Sequence, residues 1–359
     1  MTFASPAMRL ARPAAALVFV VSALSFASCG REPRGSPTPA TLRDVSRHAL
    51  HVGLGLDGPN QAALGQVMAA RLTEGGYHLV VLDFVPPFVK VYDRAGRFRT
   101  AFMGRGGGPG EGRSPTALAV SGDSLILVAE PGLGLTVFDL AGNVRAHGRV
   151  PAMVPLAAAA ACPGEWLVYG PRYDRGPGAA SWLHRVRMPA RGEPRVESTL
   201  VDTVPRMLSA GLPYGMVADG AGTLVRHTLG RRSQVLRVAC GGGAPVVVQS
   251  EERNANAEPE RGKRGGVATS VQSGMRAPAG VAAVNGGVVF GDKVHVRSGE
   301  DRLDLVYLAG TRRRSLSLAG DFVLQDSRPG LGVLVSTSDP TPQVFLVRAG
   351  DFEKMFPSN

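Results

Sequence analysis

The chain has 359 residues, of which 44% are hydrophobic, 19% charged and 6% aromatic, and its formal net charge is +11. This length can bury one large core or two ordinary ones. No basic run alternates with aromatic residues, so the composition argues against a single-stranded nucleic-acid surface, and we expect no nucleic acid among the partners. We interpret the excess of positive charge as arginines scattered over a solvated surface rather than as a site for anionic lipid or polysaccharide.

The first 28 residues have the pattern of a secretory signal peptide. Arg9 and Arg12 precede the apolar residues 14–24 (AAALVFVVSAL), a run too short to span a membrane as a helix. The following FASCG, which contains Cys29, resembles the lipobox of bacterial lipoproteins, although Phe26 stands where leucine is usual. The resemblance implies cleavage before Cys29 and lipidation of its sulfur. The alternative is an ordinary signal peptide with an unmodified cysteine.

Residues 29–40 are expected to form a flexible tether between the lipid and a folded domain. They are rich in Pro, Gly and Ser and poor in apolar side chains. The lipoprotein resemblance places the protein in the bacterial cell envelope, anchored to a membrane. Because Gly30 rather than an aspartate follows the cysteine, the resemblance implies attachment to the outer membrane. Cleavage removes two arginines and no acid, so the net charge falls from +11 to +9.

An internal repeat organises residues 41–359. Residues 79–99 and 125–145 align without a gap, and Asp93 and Gly96 fall on Asp139 and Gly142. Each copy has a β-branched run ending in an acid, a short loop, a second alternating run, and a DxAG segment with the preferences of a type I turn. A further strand precedes each copy, so each unit is a meander of four antiparallel strands.

Weaker copies of this pattern continue to the end of the chain. The small-residue turn recurs six times, at Gly96, Gly142, Gly192, Gly242, Gly310 and Gly350. Six such units predict an all-β fold, a six-bladed β-propeller of four-stranded antiparallel blades, because radial repetition protects the sheet edges. The units resemble those of bacterial six-bladed β-propeller lipoproteins, whose blades are similar to NHL repeats. In that family a segment like residues 104–112 (GRGGGPGEG) commonly follows an outer strand like RFRTAF.

The glycine run at residues 104–112 is therefore predicted to connect the first blade to the second. A phosphate-binding loop is disfavoured, because no GKS or GKT follows and Pro109 breaks the G-x-G-x-x-G spacing. Residues 251–277 are charged and lack a period, and we expect a mobile insertion there, either a tolerated surface loop or a partner-binding arm. The ring could be closed by residues 45–52 joining the last blade, or by residues 352–356 completing it.

The two remaining cysteines are predicted not to pair. Cys162 would end an innermost strand, and Cys240 would lie in a turn between the two outermost strands of the next blade. These positions differ in distance from the propeller axis, whereas a disulfide needs Cα atoms within about 7 Å. We expect a buried Cys162 and a free, partly exposed Cys240.

Propellers that bind ligands usually do so at the mouth of the central channel, where the second strand of each blade ends. The residues at those ends are Asp83, Glu130, Gly170, His227, Asp292 and Ser336. Glu111 and Arg113 would border the same face. A ring of oxygen ligands suits calcium or manganese, and a carboxylate with a histidine can perform acid–base chemistry. The alternative is that these acids only satisfy turn amides.

The favoured function is a non-enzymatic binding or scaffold protein for a protein, peptide or glycan partner. The alternative is a metal-dependent hydrolase or lyase at the channel mouth, and a third possibility is a subunit of a larger envelope complex without a small ligand. We expect no cofactor, with a divalent cation such as calcium as the possible exception. The sequence contains no HExxH, CxxC or GxSxG motif.

Overall fold

A computed structural model describes residues 49–52, 60–162, 164–173, 181–189, 193–201, 215–218, 222–229, 232–252, 276–294, 301–309, 312–338 and 341–356. The signal peptide, Cys29 and the tether lie outside this range, so their assignments stay predictions. Most of the insertion at 251–277 also lies outside it. Its first two and last two residues are strand, which corrects the predicted bounds of that insertion. In the described part, no helix is long and apolar enough to cross a membrane.

The described strands form six four-stranded antiparallel sheets, which confirms the predicted fold class. Blade 1 is β2–β5 (Val67–Leu72, His78–Asp83, Val89–Asp93, Phe98–Phe102) and blade 2 is β6–β9 (Ala117–Ser121, Leu125–Glu130, Gly134–Asp139, Val144–Gly148). Blade 3 is β10–β13 (Ala157–Cys162, Glu165–Arg172, Ser181–Arg187, Arg195–Val201) and blade 4 is β14–β17 (Met216–Ala218, Thr223–Leu229, Arg232–Val238, Val246–Glu252). Blade 5 is β18–β21 (Arg276–Val284, Gly287–Val294, Arg302–Ala309, Arg312–Ala319).

Blade 6 combines the two ends of the described chain. It consists of β22–β24 (Phe322–Arg328, Gly332–Thr337, Gln343–Arg348) and, as its outermost strand, β1 (Ala49–Val52), which pairs with β24. Within the predicted range 45–52, Ala49–Val52 supply the closing strand, and Ala349–Lys354 instead form a short helix, α1. The first strands β2, β6, β10, β14, β18 and β22 contact one another in a ring, so they lie innermost.

Apolar side chains, which alternate along the strands, fill the space between neighbouring blades. Val80 and Leu82 of β3 pack with Leu118 and Val128 of blade 2 in one cluster. The seam between blades 6 and 1 is in addition polar. The backbone N–H of Leu72 donates to the Asp326 carboxylate at 2.8 Å, and Arg328 donates to the Leu72 carbonyl at 3.0 Å. These side-chain hydrogen bonds connect β2 to blade 6, since the two belong to different sheets and share no backbone strand pairing.

The DxAG segments form the predicted turns. The N–H of Gly96 donates to the Asp93 carbonyl at 2.9 Å, and that of Gly142 donates to the Asp139 carbonyl at 3.0 Å. Both glycines have positive φ, 78° and 87°, which a residue without Cβ adopts at little cost. Each aspartate also accepts two backbone N–H groups on Oδ1, so the turn in both blades depends on the same carboxylate.

The prediction for the cysteines is wrong, because Cys162 and Cys240 form a disulfide with Cα atoms 5.4 Å apart. Cys162 ends β10 in blade 3, after a register irregularity, and Cys240 follows β16 in blade 4. The connection from β16 to β17 contains Gly241, whose N–H donates to Cys162 Sγ at 3.1 Å. Arg185 of blade 3 also donates to the Ala239 carbonyl at 2.7 Å. This connection reaches across to the neighbouring blade, which strand positions alone do not reveal.

Candidate functional site

The candidate site lies on the face where the second strand of each blade ends, which we call the channel-mouth face. Asp83 ends β3 and Glu130 ends β7, as predicted. The loops that join the second strand to the third, and one blade to the next, meet on this face. The opposite face carries the turns between the first and second strands, including exposed Tyr77 between β2 and β3.

Asp83 is fully buried and its carboxylate is saturated. It accepts the N–H groups of Gly65 and Gln66, both at 2.8 Å, and that of Val85 at 3.1 Å. Its fourth partner is Lys90 of β4, whose ammonium is also buried and forms an ion pair with Oδ2. The Gly65 and Gln66 amides belong to the segment that leads into the innermost strand, so this carboxylate joins that segment to the end of β3.

Glu130 occupies the equivalent place in blade 2, with half of the partners. Its Oε1 accepts the N–H groups of Arg113 at 2.8 Å and Ser114 at 2.6 Å, again from the segment leading into an innermost strand. The side chain is 4% exposed. Its other oxygen, Oε2, is buried and accepts no hydrogen bond from the described residues. A buried polar atom without a partner costs free energy, so this oxygen requires an explanation.

The difference between the two acids follows from one position of the third strand. Lys90 pairs with Val81 across β3 and β4, and Thr136 pairs with Val128 across β7 and β8. These positions correspond, so blade 2 has a threonine where blade 1 has the lysine. The Thr136 hydroxyl lies 2.8 Å from His147 Nδ1. It therefore makes a hydrogen bond away from Glu130.

A cavity of about 100 Å³ lies beside Thr136, the residue of blade 2 that corresponds to Lys90. Glu130, Thr136 and His147 line it, together with Gly108 and Glu111 of the glycine run. Glu111 is exposed, and its Oε2 accepts the N–H of Gly108 at 2.9 Å.

The glycine run connects β5 to β6, as the sequence predicted. The N–H of Gly106 donates to the Gly112 carbonyl at 2.9 Å, and that of Gly112 donates to the Gly104 carbonyl at 3.0 Å, so the run folds back on itself. Arg113 is exposed after it and supplies only its backbone N–H to Glu130. A Cβ at Gly112 would lie 2.5 Å from Met103 Cε and 3.0 Å from Glu130 Oε2. A larger residue at this position would therefore require the end of the Met103 side chain to move.

The other predicted residues lie in other blades, and His227 and Asp292 lie two residues before the ends of β15 and β19 rather than at those ends. The Asp292 carboxylate accepts a hydrogen bond from Arg226 at 2.6 Å, and that guanidinium is 1% exposed and lies 5.6 Å from the Phe290 ring centre. Ser336 accepts from Gln325 at 2.7 Å. His227 lies in β15, and its side chain is outside the described part. The structure therefore brings Glu111, Arg113 and Glu130 together, and places Asp83 and Asp292 in separate blades.

A larger cavity, of about 500 Å³, opens on the same face between blades 2 and 3. Most of its lining is apolar: Leu135, Val150, Pro151, Met153, Val154 and Pro155. Glu130 and Arg149 line both this cavity and the smaller one. Pockets that hold small ligands or peptide side chains typically have volumes of about 300–1,000 Å³ and an apolar lining with few polar groups.

Exposed apolar side chains lie on the same face. Tyr173 lines this cavity and is 52% exposed, and Phe84 and Val85, which follow β3 in blade 1, are 53% and 47% exposed. An exposed aromatic side chain beside an apolar cavity favours an interaction surface. Sequence reasoning missed Lys90, Thr136 and Tyr173, because their significance depends on which side chains the blades bring together.

The described residues contain no group of three or more His, Cys, Asp or Glu side chains placed to hold a metal ion. Asp83 and Asp292 both have basic side chains as partners.

Comparison with known proteins identifies the fold. No family model matches the sequence, and no curated protein matches it significantly. A Bacteroides fragilis protein named “Putative exported protein” has a similar structure, with a TM-score of 0.56, 12% identity, and coverage of 88% of this chain and 97% of its own. The calcium-binding protein regucalcin of Agrobacterium tumefaciens gives a TM-score of 0.47 at 13% identity, covering 79% of this chain and 90% of its own. At 12% identity, the likeness to the Bacteroides fragilis protein shows a shared fold alone.

Proposed function

We propose that this protein is a lipid-anchored binding protein of the bacterial cell envelope, which captures a peptide segment of a partner protein on its channel-mouth face without transforming it. The observation that carries this proposal is the cavity of about 500 Å³ between blades 2 and 3, lined by apolar side chains and flanked by exposed Tyr173. Apolar side chains of the partner would occupy it, and Phe84 and Val85 would extend the contact across blade 1.

Binding without chemistry agrees with the state of two of the predicted acids, Asp83 and Asp292. A general base or a metal ligand needs an available lone pair. The Asp83 carboxylate already accepts four hydrogen bonds, and Asp292 accepts from a buried arginine. These contacts support a structural role for both residues, and we therefore favour the binding protein over the metal-dependent hydrolase or lyase.

Site-specific photocrosslinking in intact cells tests this function. A photoreactive phenylalanine analogue at position 173 should give covalent adducts with an envelope protein. The same analogue at position 77 is the matched control, because Tyr77 is 60% exposed on the opposite face. Adducts at 173 and not at 77 support the proposal. Equal adducts at both positions, or none at 173, contradict it.

The anchor is tested separately. Metabolic labelling with an alkyne fatty acid should mark the wild-type chain and not a Cys29→Ser variant, and the variant should leave the membrane fraction. Labelling that persists in the variant would exclude Cys29 as the attachment point.

A further inference from the structure

We propose that the cavity of about 100 Å³ in blade 2 binds a primary alkylammonium group, with Glu130 as the residue that recognises it. The inference rests on the proposed function in one respect, since the amine would enter from the same face. It deepens that function by naming the chemistry of the ligand, and it requires no particular partner.

The argument begins with blade 1, which contains the complete arrangement. There an aliphatic chain that carries an ammonium, the Lys90 side chain, is 2% exposed and pairs with Asp83 Oδ2. The same ammonium lies 3.3 Å from the Val85 carbonyl, a second acceptor. This site is built from a buried carboxylate whose remaining hydrogen bonds come from backbone amides, and its occupant is a primary ammonium.

Blade 2 repeats the carboxylate and omits the ammonium. Glu130 receives the corresponding two backbone amides, but its Oε2 has no partner among the described residues. The position of Lys90 is taken by Thr136, which is shorter by three heavy atoms and makes its hydrogen bond with His147. Thr136 and Glu130 both line the cavity, so a longer side chain at position 136 would extend into it.

The other charged groups around the cavity do not replace the lysine. His147 uses Nδ1 for Thr136 and is exposed. Arg149 lines the cavity and is also exposed, and in the described part of the chain it makes no ion pair with Glu111 or Glu130. Glu111, on the glycine run, adds a second negative charge to the wall.

Size and charge together define the ligand. A water molecule occupies about 30 Å³ in the liquid, so the cavity holds about three waters or a short alkyl chain with one polar end. A buried carboxylate oxygen with no donor favours a cation that can donate hydrogen bonds. A primary ammonium on a short aliphatic stem meets both conditions, whether it is a free amine or the side chain of a lysine in a partner.

Titration calorimetry on the full-length chain tests the inference, with n-butylammonium chloride as the probe and n-butanol as its neutral counterpart. We expect the ammonium to bind and the alcohol not to bind. Glu130→Gln should weaken binding at least about tenfold, because it replaces a charged acceptor by a neutral one. Equal binding of the two probes, no binding of the ammonium, or unchanged binding in Glu130→Gln would overturn the proposal.

Thr136→Lys is the sharpest variant, since it copies blade 1 into blade 2. Its own ammonium should occupy the cavity, abolish butylammonium binding and raise the melting temperature. Retained binding in a folded Thr136→Lys protein would overturn the inference. If Thr136→Lys does not fold, the loss of butylammonium binding in Glu130→Gln remains the test of the proposal.

Nα-acetyl-lysinamide identifies the source of the amine. Its binding would indicate a lysine side chain of a partner, and binding of butylammonium alone would indicate a free amine. Either result supports the alkylammonium site, and neither depends on the crosslinking result at position 173. Failure of the partner and failure of the amine site are therefore distinguishable.

Discussion

Blades 1 and 2 both bury an acidic side chain at the end of the second strand, but only blade 1 supplies a cation that pairs with it. Each ends its second strand in a buried acid that accepts the amides leading into its innermost strand. In blade 1 the acid is neutralised by Lys90, and in blade 2 the corresponding Thr136 leaves Glu130 Oε2 unpartnered beside a cavity. The comparison teaches that repeated architecture fixes where a carboxylate lies, while a single side chain on the next strand decides whether that carboxylate has an internal counter-charge.

Removing the internal cation is the change with the largest expected effect. Lys90→Met leaves Asp83 buried without a counter-charge, and breaking one partner of a buried ion pair costs about 3–5 kcal/mol. We expect a loss of about 3 kcal/mol, the lower end of that range, because three amide hydrogen bonds remain. Urea denaturation measures the free energy of unfolding.

The matched control in blade 2 is Thr136→Val. It removes only a hydroxyl whose partner is an exposed histidine, so we expect a loss of about 1 kcal/mol or less. Equal losses in the two blades would show that Lys90 does not stabilise Asp83 electrostatically.

The amino-acid sequence predicts the blades well because the repeat is a local pattern. The DxAG turns and the alternating strands recur at regular spacing, and both are formed by residues adjacent in the chain. The sequence left ring closure open, because pairing of β1 with β24 joins residues almost 300 positions apart. The disulfide was missed for a related reason, since it depends on how far the connection after β16 reaches.

The candidate site was only partly predictable, and its two blades show why. The ungapped alignment of residues 79–99 with 125–145 places Lys90 on Thr136, but it places Asp83 on Ala129 rather than on Glu130. The strand pairing restores the correspondence, because Val81 pairs with Lys90 and Val128 with Thr136. The chain from the acid to the corresponding third-strand residue is one residue shorter in blade 2, from Glu130 to Thr136, than in blade 1, from Asp83 to Lys90. The sequence alone does not reveal where this shift occurs.

The glycine run offers a second way to perturb blade 2 alone. Gly112→Ala would place a Cβ 2.5 Å from Met103 Cε and 3.0 Å from Glu130 Oε2. Overpacking of this kind costs about 1–3 kcal/mol, and it should also weaken any binding in the adjacent cavity.

Gly104→Ala is its control in the same loop, since no atom lies within 4 Å of the added Cβ. That variant should be neutral or more stable by about 0.4–1 kcal/mol, through the entropy of the unfolded chain. Thermal unfolding of both variants measures the difference. Equal stability of the two would show that the contact with Met103 and Glu130 relaxes without cost.

The smallest expected effect tests a feature that the two blades share. Hydrogen bonds from the Asn143 side chain, from the Asn143 and Ala141 amides and from Arg145, opposed by burial, lower the pKa of Asp139 to about 2. The pKa of Asp93 is also lowered; burial opposes this shift, but hydrogen bonds from Arg97 and Ala95 outweigh it. A depressed pKa means that the charged carboxylate stabilises the fold above the unfolded-state pKa, and that this stability is lost as the pH falls through the folded value.

We therefore expect Asp139→Asn to lower the free energy of unfolding by about 1 kcal/mol at pH 7, less than the full shift implies, because solvent screens this surface carboxylate. The gap between variant and wild type should close as the pH falls from 4 to 2. Asp93→Asn in blade 1 should behave in the same way, and urea titrations at a series of pH values compare them. If the two blades respond alike in this turn and differently at Lys90 and Thr136, the difference between them is confined to the channel-mouth acid. If Asp139→Asn is still less stable than the wild type at pH 2, the loss of stability comes from packing rather than from charge.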